Sequence, residues 1–116
     1  MILGVHHFAV IVSSEESTAF YKKLGFREIL RKERRNDTVV LLSGYGIQLE
    51  LFIDPRHPKR EAFGPLGLRH LALRVDKIED TAEDLGLTIE TIMTDWVGVR
   101  FVFITDPDGN EVELHE

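Results

Sequence analysis

Two histidines and two glutamates stand at one common spacing in this chain of 116 residues. His7 and His70 are 63 positions apart, and so are Glu50 and Glu113. Imidazole nitrogens and carboxylate oxygens, without sulfur, suit Ni, Co, Zn, Mn or Fe(II). Four such ligands leave one or two positions for water or substrate, as a catalytic metal requires. Taken singly, each reads as an exposed histidine or an edge-strand glutamate. Taken as a set at one offset, they read as a divalent-metal site.

The offset extends to the segments that carry them. "GVHHFAVIV" at 4–12 and "GLRHLALRV" at 67–75 share the pattern Gly-x-x-His-x-Ala-x-x-Val. "LELF" at 49–52 falls on "VELH" at 112–115, and "VVLL" at 39–42 on "VFIT" at 102–105. A fixed internal period signals a repeated supersecondary unit. Each half opens with an apolar strand, about 3–12 and then 67–75. A short helix follows. In the first half, Ser13 with Glu16 forms a capping-box pattern, and Leu24-Gly25 ends the helix. In the second, Asp76 with Glu79 starts the helix, Ile78, Ala82 and Leu85 share one face, and Gly86 ends it. Three strands then follow in each half, at 26–33, 37–43 and 46–53, and at 87–94, 99–105 and 110–115. "RND" at 35–37 and "DPDG" at 106–109 supply reversals.

The expected fold is therefore α+β, two βαβββ modules forming a curved mixed sheet around a concave metal site. It is read as a single domain over 1–116, with module one at 1–53, a proline-rich linker at 54–66 and module two at 67–116. Strand side chains alternate between faces. His7 then shares a face with Ala9 and Ile11, while His6 points the other way as a packing or edge residue. Glu50 lies with Gln48 and Phe52, His70 with Ala72 and Arg74, and Glu113 with His115. All four candidate ligands fall on the face away from the helices. Arg74, Arg100, Gln48 and His115 are expected on that same face. Arg74 is placed to bind an anionic substrate group, and His115 is read as a surface residue. Trp96, in "TDWVGVR", is expected to cap the cavity or to pack at a subunit interface.

Composition narrows the classes. Hydrophobic content is 43% and charged content 29%, as in globular proteins. The net charge of −6 argues against nucleic acid and against anionic membrane surfaces. "RKERR" at 31–35, joined by "RHPKR" at 56–60, reads as solvated loop and strand edge. The longest apolar run, "FAVIV" at 8–12, is far short of a membrane span. Met1 leads almost directly into the first strand without a basic stretch or cleavage site, as expected without a signal peptide. The absence of cysteine excludes disulfides and thiolate ligands and fits a reducing cytoplasm.

The motifs "HHFAVIV", "LELF", "GLRHLALRVD" and "DPDGNEVELHE" resemble, over nearly the whole chain, the vicinal oxygen chelate superfamily. That superfamily includes glyoxalase I, bleomycin resistance proteins and extradiol dioxygenases. The resemblance puts its metal positions on His7, Glu50, His70 and Glu113. A full His-Glu-His-Glu set is similar to the glyoxalase I type. Iron dioxygenases use two His and one Glu, and bleomycin-binding members lack the metal residues. With no long insertion near 54–66, the chain looks most like the small glyoxalase-like proteins of bacteria.

The resemblance implies one divalent metal per site, with Ni, Zn, Co or Mn ahead of Fe(II). It implies lyase or isomerase chemistry, a proton transfer beside a carbonyl, on a small vicinal-oxygen substrate such as a hemithioacetal or 2-oxo compound. Glu113 or Glu50 would be the base, with Glu113 favoured by resemblance. The alternatives are a metal-free protein that sequesters a small drug or toxin, and an Fe(II) extradiol-type dioxygenase. The expected partners are a small-molecule substrate and a second copy in a homodimer. Family members pair modules within one chain or across two. Neither nucleic acid nor membrane is expected.

Overall fold

The computed structural model describes residues 1–61, 64 and 66–116. Its elements are β1 (Phe8–Val12), α1 (Glu15–Lys23), β2 (Arg27–Glu33), β3 (Thr38–Gly44), β4 (Ile47–Ile53), β5 (Leu71–Arg74), α2 (Ile78–Leu85), β6 (Met93–Thr94), β7 (Arg100–Thr105) and β8 (Glu111–His115). The pattern βαβββ occurs twice, in an α+β fold. The strands form two four-stranded mixed sheets, ordered β1-β4-β3-β2 and β5-β8-β7-β6. In each, the first strand lies parallel to the last and the other pairings are antiparallel. The chain divides into two compact units, Met1–Lys59 and Arg60–Glu116. Of the expected linker at 54–66, residues 62, 63 and 65 lie outside the described residues. No helix among the described residues is long and apolar enough to cross a membrane.

Alternation builds each core. Leu49 and Leu51 of β4 are buried with Val40 and Leu42 of β3 and Val12 of β1. Their neighbours Ala9 and Ile11 are exposed on the opposite face, and Glu50 is half-buried there. Val102, Ile104, Val112 and Leu114 repeat the arrangement, with Ile78 and Ala82 of α2 also buried. The β3–β4 hairpin turns on Tyr45 and Gly46, with φ of 53° and 78°. Left-handed angles at both central residues give a type I′ turn, whose twist matches the strands. The Tyr45 hydroxyl donates to the Leu24 carbonyl at the end of α1. A Cβ on Gly25 would collide with that hydroxyl.

Several local expectations need correction. The first helix is capped by Ser14, not Ser13: the Ser14 hydroxyl accepts from the Glu16 N–H at 3.2 Å. Asp76 does not cap the second helix. Among the described residues it accepts from the Lys77 N–H, and the Ile78 N–H is taken by the Glu116 carboxylate at 3.0 Å. A carboxylate from a distant strand end thus replaces the local cap while still facing the positive end of the helix. The strand expected at 87–94 shrinks to Met93–Thr94. The opening strands are also shorter than 3–12 and 67–75, so His7 and His70 each sit just before the first paired residue.

Three arginines of the basic segments are paired with carboxylates. Arg31 binds Glu15 of α1 and Glu28 of its own strand, Arg34 binds Asp37, and Arg56 binds Asp54. Arg31, helped by Lys22, holds the Glu28 carboxyl down to about 2 from 4.5. A carboxyl depressed on folding adds stability above its unfolded value and loses it as pH falls through the folded one. Glu28→Gln is thus expected to lower stability by roughly 1 kcal/mol at pH 7, the upper range for a solvent-reached ion pair. The difference should vanish between about pH 4.5 and pH 2. Urea melts at both ends of that window check it, and a constant difference would contradict it.

Candidate functional site

Each unit brings one histidine and one glutamate together. Glu50 pairs in register with Ala9, two residues after His7, and Glu113 pairs with Ala72, two residues after His70. The parallel pairing of first and last strands therefore sets the same two side chains side by side in both units. His7 Nε2 lies 3.9 Å from Glu50 Oε2, and His70 Nε2 lies 3.5 Å from Glu113 Oε2. The second pair is the more sheltered, its side chains 23% and 14% exposed against 36% and 25%. The His70 ring packs edge-on against Phe103, centroids 5.0 Å apart, and Phe103 meets Phe101 in the same way. Among the described residues, no group of three or more metal-ligating side chains is gathered; each unit presents two donors.

Those two donors fit a cation. Both separations exceed the roughly 2.7–3.2 Å of a nitrogen–oxygen hydrogen bond. Two ligands each about 2.0–2.2 Å from one metal stand roughly 3.0–3.5 Å apart at tetrahedral or octahedral angles. His70 fits that span as it stands, and His7 fits after a small shift. His70 Nδ1 is buried and has no hydrogen-bond partner among the described residues, so no protein bond fixes its tautomer.

The other expected residues divide. Gln48 is on β4 beside Glu50, one alternation away, and Arg74 is exposed at the end of β5. Arg100 corrects the expectation of a common face. It precedes Phe101, whose partner is His115, and its guanidinium turns to Glu79 and Glu116 at the start of α2. Trp96 is 94% exposed. His115 is not a simple surface residue, because its Nε2 lies 3.2 Å from Asp95 Oδ2. The Asp95 carboxyl is held below its ordinary value, first by the Val99 N–H, against the cost of burial, and then by Val97 and His115. His6 also departs from its parity reading. The chain is not yet in the strand there, and His6 Nδ1 lies 2.9 Å from His7 Nδ1. The His-His doublet was the only visible signal for that contact. Asp95, far along the chain from His115, offered none.

Comparison with known proteins decides the family. The model of the Glyoxalase/Bleomycin resistance protein/Dioxygenase superfamily matches residues 4–114. The chain belongs to that superfamily. Among its relatives is the uncharacterized protein YaeR of Escherichia coli (strain K12), 38% identical, with 97% of this chain and 95% of YaeR covered. The crystal structure of the glyoxalase family protein from Enterococcus faecalis is 34% identical, with a TM-score of 0.86 and 98% of each chain covered. At 21% identity the likeness to the E126Q mutant of the fosfomycin resistance protein FosX from Listeria monocytogenes concerns the fold alone. Its TM-score is 0.73, covering 99% of this chain and 93% of that one. That protein was solved with Mn(II) and 1S,2S-dihydroxypropylphosphonic acid. A protein of the same fold has thus been solved with a divalent metal. One superfamily hosts several chemistries, so activity has to be argued from side chains.

Proposed function

We propose that this superfamily member is a glyoxalase I-like enzyme that moves a proton beside a carbonyl of a small vicinal-oxygen substrate, a hemithioacetal or 2-oxo compound. One observation carries the reading: a His–Glu pair at the same register of both sheets, Ala9 with Glu50 and Ala72 with Glu113. His7, Glu50, His70 and Glu113 would together hold one divalent metal of the Ni, Zn, Co or Mn kind. When bound, that metal supplies Lewis-acid stabilisation of developing oxyanion charge.

The residues do the rest. His7 acting through Nε2 keeps its proton on Nδ1 and donates it to His6, which fixes the ring's tautomer and orientation. Phe103 holds the His70 ring edge-on. Glu113, with Glu50 as its pseudo-symmetric counterpart, accepts the substrate proton and returns it to the neighbouring carbon. Purification without added metal, followed by elemental analysis, separates this reading from a metal-free sequestering protein. Oxygen uptake separates it from a dioxygenase.

A homodimer belongs to the same proposal, since a module of this size buries little apolar surface alone. Sedimentation is expected to give twice the chain mass at micromolar concentration. Mixing His7→Ala with His70→Ala protein is a second test. If the ligands come from two subunits, mixed dimers regain one intact set, and about a quarter of the wild-type metal returns at random pairing. A stable monomer that retains metal would reject the shared version.

A further inference from the structure

Arg60 joins the two chain segments that carry the more sheltered pair. Its backbone N–H donates to the Asp108 carbonyl at 3.0 Å, in the turn that leads into β8 and Glu113. Its guanidinium donates to the Leu68 carbonyl at 2.7 Å, two residues before His70. We infer that Arg60 is a positioning residue for His70, a clasp that sets the distance of the ring from Glu113. The inference rests on the proposed function only for the use of that pair as metal ligands.

The first argument is how little else holds His70. Its Nδ1 is buried with no hydrogen-bond partner among the described residues. Phe103 meets the ring edge-on, an apolar contact without the directionality of a hydrogen bond. Placement of the ring therefore falls to its backbone. Pairing with β8 begins at Leu71, so the ladder steadies His70 from its C-terminal side. Arg60 supplies the hold on the other side, and it anchors that hold to the segment bearing Glu113. Ligating side chains keep a working geometry within about 0.5 Å only when such surrounding contacts lock them.

The second argument is that two glycines make room for the clasp. A Cβ on Gly109 would stand 2.7 Å from the Arg60 carbonyl oxygen. One on Gly64 would stand 2.6 Å from Arg60 Nε and 2.9 Å from Nη2, the nitrogen that bonds Leu68. The repeat supplies a control. Gly46 holds the position of Gly109 in the first unit, with φ of 78° against 85°. A Cβ on Gly46 would meet nothing within 4 Å. Backbone conformation alone explains Gly46, whereas Gly109 also admits Arg60. The first unit steadies its histidine by another route, the His6–His7 contact. Its pair stands wider, at 3.9 Å against 3.5 Å.

The test compares Arg60→Met, which keeps the length without a donor, with Arg60→Lys, which keeps a donor for the one carbonyl. Affinity for Ni(II) and for Zn(II) is titrated on the full chain. The ring signals of His70 and His115 are recorded on metal-free protein by NMR of the imidazole nitrogens. Arg60→Met is expected to lower affinity about tenfold, as for loss of an outer partner of a ligand. Removing a positive charge would by itself favour a cation, so a loss reports geometry. The His70 signals should move, while those of His115, held by Asp95 in the same unit, stay. Arg60→Lys should restore both readouts. If Arg60→Met fails to fold, Gly64→Ala is read in its place, since its methyl displaces the guanidinium and keeps the charge.

Unchanged affinity in the folded variant overturns the inference. So do unmoved His70 signals, and so does a His115 shift as large as that of His70, the mark of a general loosening of the unit. The proposed function fails separately, when wild-type protein binds neither metal. The His70 and His115 signals of metal-free protein then decide for or against the clasp.

Discussion

His70→Ala is expected to lose divalent metal by more than about 100-fold in affinity, since removing even an outer partner of a ligand costs about 10–100-fold. His70 is the more sheltered of the two histidines and its Nε2 is already 3.5 Å from Glu113. Deleting the ring leaves the Glu113 carboxylate without its nitrogen companion and opens a gap beside Phe103. Some stability should go as well, by about 1 kcal/mol for a part-exposed ring. Metal content and a thermal melt should therefore be recorded together. Folded protein with unchanged metal stoichiometry would remove His70 from the ligand set. The same experiment on His7 should give a loss in the same direction.

Glu113→Gln is expected to cut proton transfer by about 10²–10⁴-fold, the usual contribution of a positioned general base. The replacement is nearly isosteric, and Glu113 points away from the buried Val112 and Leu114, so the fold should persist. An amide does not take up a proton at neutral pH. The measurement is metal-dependent exchange of the proton alpha to a carbonyl, in deuterated water, on hemithioacetals and small 2-oxo compounds. Metal affinity is followed in parallel, because three of the four proposed ligands would remain. If Glu113→Gln and Glu50→Gln both exchange at the wild-type rate, neither carboxylate is the base.

The repeat made the architecture legible. Phe8 and Leu71, the first residues of β1 and β5, and Glu15 and Ile78, the first residues of the two helices, keep the 63-residue spacing of the histidines. Alternation then placed Glu50 and Glu113 opposite the buried leucines. What escaped were contacts between residues distant in sequence but not related by the repeat. Glu116 capping α2, Tyr45 latching onto Leu24 and Asp95 meeting His115 depend on tertiary approach. Arg100 was misplaced although alternation was enough to place it: it has the parity of the buried Val102 and Ile104, not that of Phe101 and Phe103, which pair with His115 and Glu113. The segment 87–94 carried the apolar pattern of a full strand, but among the described residues only Met93 and Thr94 of it pair with β7.

The parallel closure of each sheet also dictates an order of assembly. Gly44 and Ile47 pair across a two-residue turn, whereas Phe8 must wait for Leu49. Local contacts form early, and pairings between distant segments come after the entropy of loop closure has been overcome. The β2-β3-β4 meander can zip without β1, and β7 can join β8 without β5. The histidine reaches its glutamate only when the first strand docks on the last. Each two-donor pair is thus a reporter of completed folding in its own unit, and a growing chain holds no such pair until its β4 or β8 has been made.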